Sequence, residues 1–81
     1  MKAVKNPTIE DVKAIVDSAS MNRFKWADGS LTLDIFTASA IKAVYNASSP
    51  DNQAKMNEFI SASKAKFIKV ANFSFKCVSF K

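Results

Sequence analysis

Residues 22–36 read NRFKWADGSLTLDIF, and within them the chain's single glycine follows Asp28 between two runs of alternating apolar and polar side chains. Asp-Gly flanked by such alternation is the strongest short-range signal for a β-hairpin. The favoured two-residue turns need positive φ, which glycine adopts without a Cβ clash. A loop of Asp28 and Gly29 pairs Trp26 with Leu31 and Phe24 with Leu33, so that all four share one face while Lys25 and Thr32 point the other way. Ile35 extends the apolar face and Asp34 the wet one. Alternatively, Gly29 is a loop residue and Ser30 caps a longer helix. A lone hairpin of this length is not stable in water, so its apolar face has to be covered by other elements.

Helices supply the cover. Thr8 is a helix N-cap with an acid, Asp11, three positions on, and Val12, Ile15, Val16 and Ala19 follow at i, i+3, i+4 and i+7, which predicts a helix over about residues 9–20. Thr37 can cap a second helix reaching about residue 47. In it Ile41, Val44 and Tyr45 form a stripe, and the small Ala38, Ala40, Ala43 and Ala47 allow close approach. Ser48-Ser49-Pro50-Asp51 ends that helix and begins a third, because proline loses nothing at the first helical position and Asp51 suits the positive end of the dipole. The third helix buries Met56, Phe59 and Ile60, and Ser61 or Ser63 begins the last element. The expected fold is α+β and mostly helical, with about four helices and one β-hairpin (about residues 23–35) packed on them. At 81 residues the chain is one small domain, 1–81. It is in the size range that buries only about 60% of its unfolded surface. Its 48% apolar content is enough for a core and argues against disorder. It should fold alone or as a small homo-oligomer.

Several chemistries lack their residues. There is no histidine and one cysteine, Cys77, so the usual zinc and haem ligand sets are missing, no intramolecular disulfide can form, and no metal or cofactor is expected. Acid–base and nucleophilic catalysis are left with seven carboxylates, the lysines and Cys77. None of these makes a recognisable constellation. A single glycine rules out a Gly-rich phosphate loop, and the chain is read as a non-enzyme. The start MKAVKNPTIED turns acidic where a secretory signal would run apolar, and no apolar run approaches the roughly 18 residues of a membrane span. A cytoplasmic, soluble protein without a membrane partner is expected. The sequons at Asn46 and Asn72 fall in segments read as helical and are set aside.

The net charge of +5 is unevenly placed. Residues 1–58 hold seven Lys/Arg against seven Asp/Glu, whereas Lys64, Lys66, Lys69, Lys76 and Lys81 are unopposed. Only Arg23 is arginine, and lysine lacks the planar fork that reads guanine edges. Sequence-specific base readout is therefore disfavoured. Read as a helix, KAKFIKVANFSFKCVSFK (residues 64–81) separates into two faces. Phe67, Ile68, Ala71, Phe75 and Val78 form a core stripe, and Lys66, Lys69, Phe73, Lys76 and Phe80 form a second face. A strand over residues 73–80 is the alternative, with Phe73, Phe75 and Cys77 on one side.

Lysines near a helix C-terminus are explained by the dipole and by solvation alone. Lysines interleaved with an exposed phenylalanine also suit phosphates together with flat apolar faces. The leading expectation is a non-catalytic small binding protein. It docks on an acidic macromolecule, either nucleic acid bound without sequence specificity or a nucleic-acid-handling protein complex, through Lys64, Lys66, Lys69, Phe73 and Lys76. The Lys-rich, Arg-poor, Asn-containing composition is similar to that of many small bacteriophage and mobile-element proteins. That likeness implies the second expectation, an inhibitor binding a host protein, or a self-associating protein, through the hairpin or the aromatic face.

Overall fold

The computed structural model describes residues 3–77. In chain order the elements are β1 (Val4–Lys5), α1 (Ile9–Ser18), β2 (Asn22–Trp26), β3 (Gly29–Leu33), α2 (Ile35–Ala47), α3 (Pro50–Ala62) and α4 (Lys64–Cys77). The fold is α+β and mostly helical, and the two alternating runs form the expected hairpin. Val78, Phe80 and Lys81, which the periodicity assigns to the last helix, lie outside the described residues.

The hairpin closes one step earlier than Asp-Gly predicts. Ala27 and Asp28 form the loop, so Trp26 faces Gly29, Phe24 faces Leu31 and Asn22 faces Leu33. Each pair has slipped by two residues. Because side chains alternate with a period of two, the slip leaves every one on its expected face. Phe24, Trp26 and Leu33 are buried and Leu31 is half-buried. Within the hairpin, positive φ falls on Gly29 alone (φ 141°), as the first residue of β3. In this turn the Asp28 carboxylate accepts hydrogen bonds from the Lys64 and Ala65 N–H groups at 2.8 and 3.1 Å. A long-range helix cap thus accompanies the turn, and no local pattern contains it.

The strand also stops short of Ile35. Asp34 Oδ1 accepts the Thr37 N–H at 2.8 Å, so Asp34, and not Thr37, caps α2, and Ile35 becomes an exposed first helical residue. A third strand escapes the sequence altogether, since two residues carry no period. β1 pairs in parallel with β2, Val4 opposite Phe24, and makes β2 the centre of the sheet order β1-β2-β3.

The crossover helix between them, α1, begins as predicted, with Asp11 Oδ2 accepting the Thr8 N–H at 2.8 Å. It ends at Ser18, short of the expected residue 20. The Ser20 N–H returns to the Ile15 carbonyl at 3.2 Å and the Ala19 N–H to the Val16 carbonyl at 3.3 Å. That pattern terminates a helix on a left-handed residue. Ala19, predicted to join the apolar stripe, holds φ 50° and is exposed.

The core gathers Val12, Ile15, Phe24, Trp26, Leu33, Ile41, Ile60 and Phe67 between sheet and helices. Phe67 lies 5.9 Å from Phe24 and 5.1 Å from Trp26, ring centre to ring centre. The Trp26 indole N–H donates to the Ile60 carbonyl at 2.9 Å, so the ring is buried with its polar atom satisfied. Trp26 and Phe67 thereby join the hairpin to α3 and α4.

The core stripe of α4 differs from the predicted one. Phe67, Val70 and Ser74 are buried and Ala71 is half-buried, while Ile68 and Phe75 are 40% and 38% exposed. Relative to the apolar spacing, the helix is turned about its own axis toward Val70 and Ser74. Hydropathy misplaces Ser74 because it treats a hydroxyl as a cost. Here the Ser74 Oγ donates to the Val70 carbonyl one turn back at 2.8 Å, so burial leaves nothing unpaired. The helix itself runs through Cys77, which disposes of the strand alternative over residues 73–77.

Candidate functional site

Only Ser63 separates α3 from α4, and the two helices pack against each other and against α2. Each presents one stripe at i, i+3, i+4 and i+7 to the space between them. On α3 the stripe is Asn52, Lys55, Met56 and Phe59, and on α4 it is Lys66, Lys69, Val70 and Phe73. With Ser48 from the end of α2, all of these but Lys66 line an open groove of about 420 Å³. Lys66 stands beside it, its ammonium 5.1 Å from the centre of the Phe59 ring. Each wall combines apolar side chains with lysine, Lys55 on α3 and Lys69 on α4.

Met56 and Val70 are buried, Phe59 is half-buried, and Phe73 is 55% exposed. The Ser48 hydroxyl donates to the Val44 carbonyl at 2.6 Å and also lies 3.8 Å from Met56 Sδ. Among the described residues no carboxylate lines the groove. Among the described residues the ion pairs are Lys13 with Glu10 and Lys42 with Asp17. Lys55, Lys66, Lys69 and Lys76 thus have no acidic partner there. Beyond the groove, Phe73 and Cys77 border a shallower depression with Ala43, Val44, Ala47 and Ser48.

The structure divides the five residues singled out in the sequence. Lys66, Lys69 and Phe73 come together at the groove, and Lys76 is exposed in the last turn of α4. Lys64 is half-buried at the hairpin. A Cβ added to Gly29 would sit 3.1 Å from Lys64 Cδ, so the lysine's methylenes lie directly against the turn.

The N-terminus of α4 is closed as an anion site. Asp28 takes the Lys64 and Ala65 N–H groups, the Ser63 hydroxyl takes that of Lys66 at 3.1 Å, and the Ser63 carbonyl takes that of Phe67 at 2.9 Å. The first three N–H groups of the helix, which have no carbonyl one turn back, are satisfied, and Phe67 begins the regular ladder. The Lys64 N–H bond foremost, and then that of Ala65, hold the Asp28 carboxyl below its ordinary value of 3.8.

Sequence reasoning missed the α3 wall. The sequence reading puts Met56 and Phe59 in the core, as the structure does, and gives Lys55 on the same helix no role. The signal was present as the spacing 52, 55, 56, 59, the same as in 66, 69, 70, 73, but it identifies a groove only once the two helices are known to be neighbours. Among the described residues no three His, Cys, Asp or Glu side chains form a metal-ligand group, and no helix is long and apolar enough to cross a membrane. Comparison of the chain with protein-family models, curated proteins and solved structures gave no match.

Proposed function

We propose that this chain is a non-catalytic binding protein that docks on an acidic macromolecule through the outer faces of α3 and α4. Lys55, Lys66, Lys69 and Lys76 supply the charge and Phe73 the apolar contact. One observation carries the proposal: three lysines with no acidic partner among the described residues, Lys55, Lys66 and Lys69, stand around or beside an apolar groove, and Lys76 is exposed further along α4. An exposed lysine that neutralises a phosphate releases counterions condensed on the polyanion, and burial of an exposed phenylalanine against a partner is favourable because it removes apolar surface from water. Lys64 serves the hairpin contact instead.

The test is association with single-stranded oligonucleotides and with acidic peptides across a range of salt concentration. Four neutralised phosphates give a slope of log K against log salt of about −3 to −4, and replacing the four lysines by glutamine flattens it. Absence of binding to either polymer at low salt, or a profile indifferent to salt, overturns the proposal.

A second reading, self-association, is favoured by Phe36, which is 74% exposed at the start of α2. The hairpin does not provide that contact through its apolar face, since Phe24, Trp26 and Leu33 are buried within the fold. Sedimentation that stays monomeric at all concentrations removes this reading.

A further inference from the structure

Resting on the acidic-macromolecule reading of this face, we infer that the occupant of the α3/α4 groove is a protein segment. It carries two large apolar side chains three or four residues apart, flanked by aspartate or glutamate, and it is not a nucleic acid. The lining decides between the two. A nucleobase has several hydrogen-bonding atoms on its edge, and burying them unpaired is costly. The neutral polar side chains lining the groove are those of Ser48 and Asn52, and the Ser48 proton is already given to the Val44 carbonyl. The Lys55 and Lys69 ammonium groups only donate, so the Asn52 amide oxygen and the Ser48 oxygen remain to accept from the N–H groups of a base edge. Stacking fares no better on Phe59, whose ring already has the Lys66 ammonium over it. An apolar side chain asks for no polar partner, and Met56, Val70 and Phe73 provide matching surface. Met56 adds a flexible thioether that adapts to the side chain received.

The charges fit the same occupant. Lys55 stands on the α3 wall and Lys69 on the α4 wall, with Lys66 beside it, so a segment lying along the groove meets cations on both sides. Its apolar residues enter between them. Each wall stripe extends over two helical turns, about 10 Å at 1.5 Å per residue. That length accommodates two turns of an amphipathic helix, which presents apolar anchors at i and i+3 or i+4 to a groove of this kind.

The experiment is a pair of selections against the full chain at low salt, one with displayed random dodecapeptides and one with a pool of random single-stranded oligonucleotides. Enriched members are then measured against Phe73→Ala, Lys69→Glu and, as a control on β2, Lys25→Glu. All three positions are exposed, so the variants are expected to fold. The expected result is enrichment of peptides with two apolar residues at that spacing beside Asp or Glu. Their affinity should fall about tenfold or more on Phe73→Ala and on Lys69→Glu, and hold on Lys25→Glu. Oligonucleotides that bind more tightly than every enriched peptide overturn the inference while leaving the acidic-macromolecule reading standing. Peptides that enrich without the acidic and apolar pattern, or that bind the Phe73→Ala and Lys69→Glu variants unchanged, also overturn it. If neither pool binds, both the inference and the reading beneath it fail.

Discussion

The two ends of the α4 contact surface treat the same kinds of residue in opposite ways. At the hairpin, Asp28 caps the helix, Lys64 lies along Gly29, and Phe67 closes against Phe24 and Trp26. The Asp28 carboxylate and the first N–H groups of α4 are paired there, the Lys64 methylenes pack on the turn, and the aromatic rings are buried. Two turns further on, Lys69 and Phe73 stand at an open groove with no carboxylate in its lining among the described residues. The contrast teaches that lysine and phenylalanine content alone does not mark a binding face. A lysine that lies against the turn and a phenylalanine inside the core belong to the fold. Those left at the groove are available to a partner.

The sharpest way to break the comparison is through its aromatics. Phe67→Ala is expected to lose about 3 to 5 kcal/mol of stability, measured by denaturant unfolding, because a buried ring leaves a cavity among well-packed neighbours. A loss below 1 kcal/mol would mean that the hairpin junction is not the packed region described. Phe75→Ala should lose about 1 to 2 kcal/mol, in proportion to its partial burial. The sequence alone, which placed Phe75 on the core stripe, predicts a loss as large as that of Phe67, so this variant measures the turning of α4 directly.

Gly29→Ala follows, with an expected loss of about 1 kcal/mol or more. Two causes are combined, the positive φ and the crowding of Lys64 Cδ, and a double-mutant cycle with Lys64→Ala separates them. Full recovery in the double variant would mean that the backbone strain is negligible.

A fourth prediction is read from pH. Asp28 and Asp34 both titrate below their ordinary value of 3.8 in the folded chain, Asp28 chiefly through the Lys64 N–H bond and Asp34 chiefly through that of Thr37. The unfolded state therefore binds more protons in this range. The stability these carboxylates contribute is fully present above their unfolded value and is lost as pH falls through the lowered folded values. Asp28→Asn should flatten that acid-side decline without altering the profile above pH 5 or so. An unchanged decline would show that the cap contributes nothing.

The smallest effect is expected at the groove. Phe73→Ala should stay within about ±0.5 kcal/mol of the parent in unfolding measurements, as surface positions do. A larger loss would place Phe73 in the fold after all and remove the contrast on which the site rests.

What the amino-acid sequence determined by itself were the features held by neighbours along the chain. The alternation of FKW and LTL made the hairpin and chose its buried face, Thr8 with Asp11 started α1, and Ser49-Pro50 opened α3. Each depends on contacts within a few residues, where a period or a cap is visible in one dimension. Even the misplaced turn kept its faces, because a slip of two residues leaves the alternation intact. Tertiary structure alone decided the rest. β1 has only two residues and exists because β2 offers an edge. The Asp28 carboxylate takes up N–H groups 36 and 37 residues away. The rotation of α4 follows from a serine able to pay its own hydrogen bond, which no hydropathy scale records. The groove needed the stripes of two helices to be brought face to face, and that is a property of how the helices meet across Ser63, not of either stripe read alone.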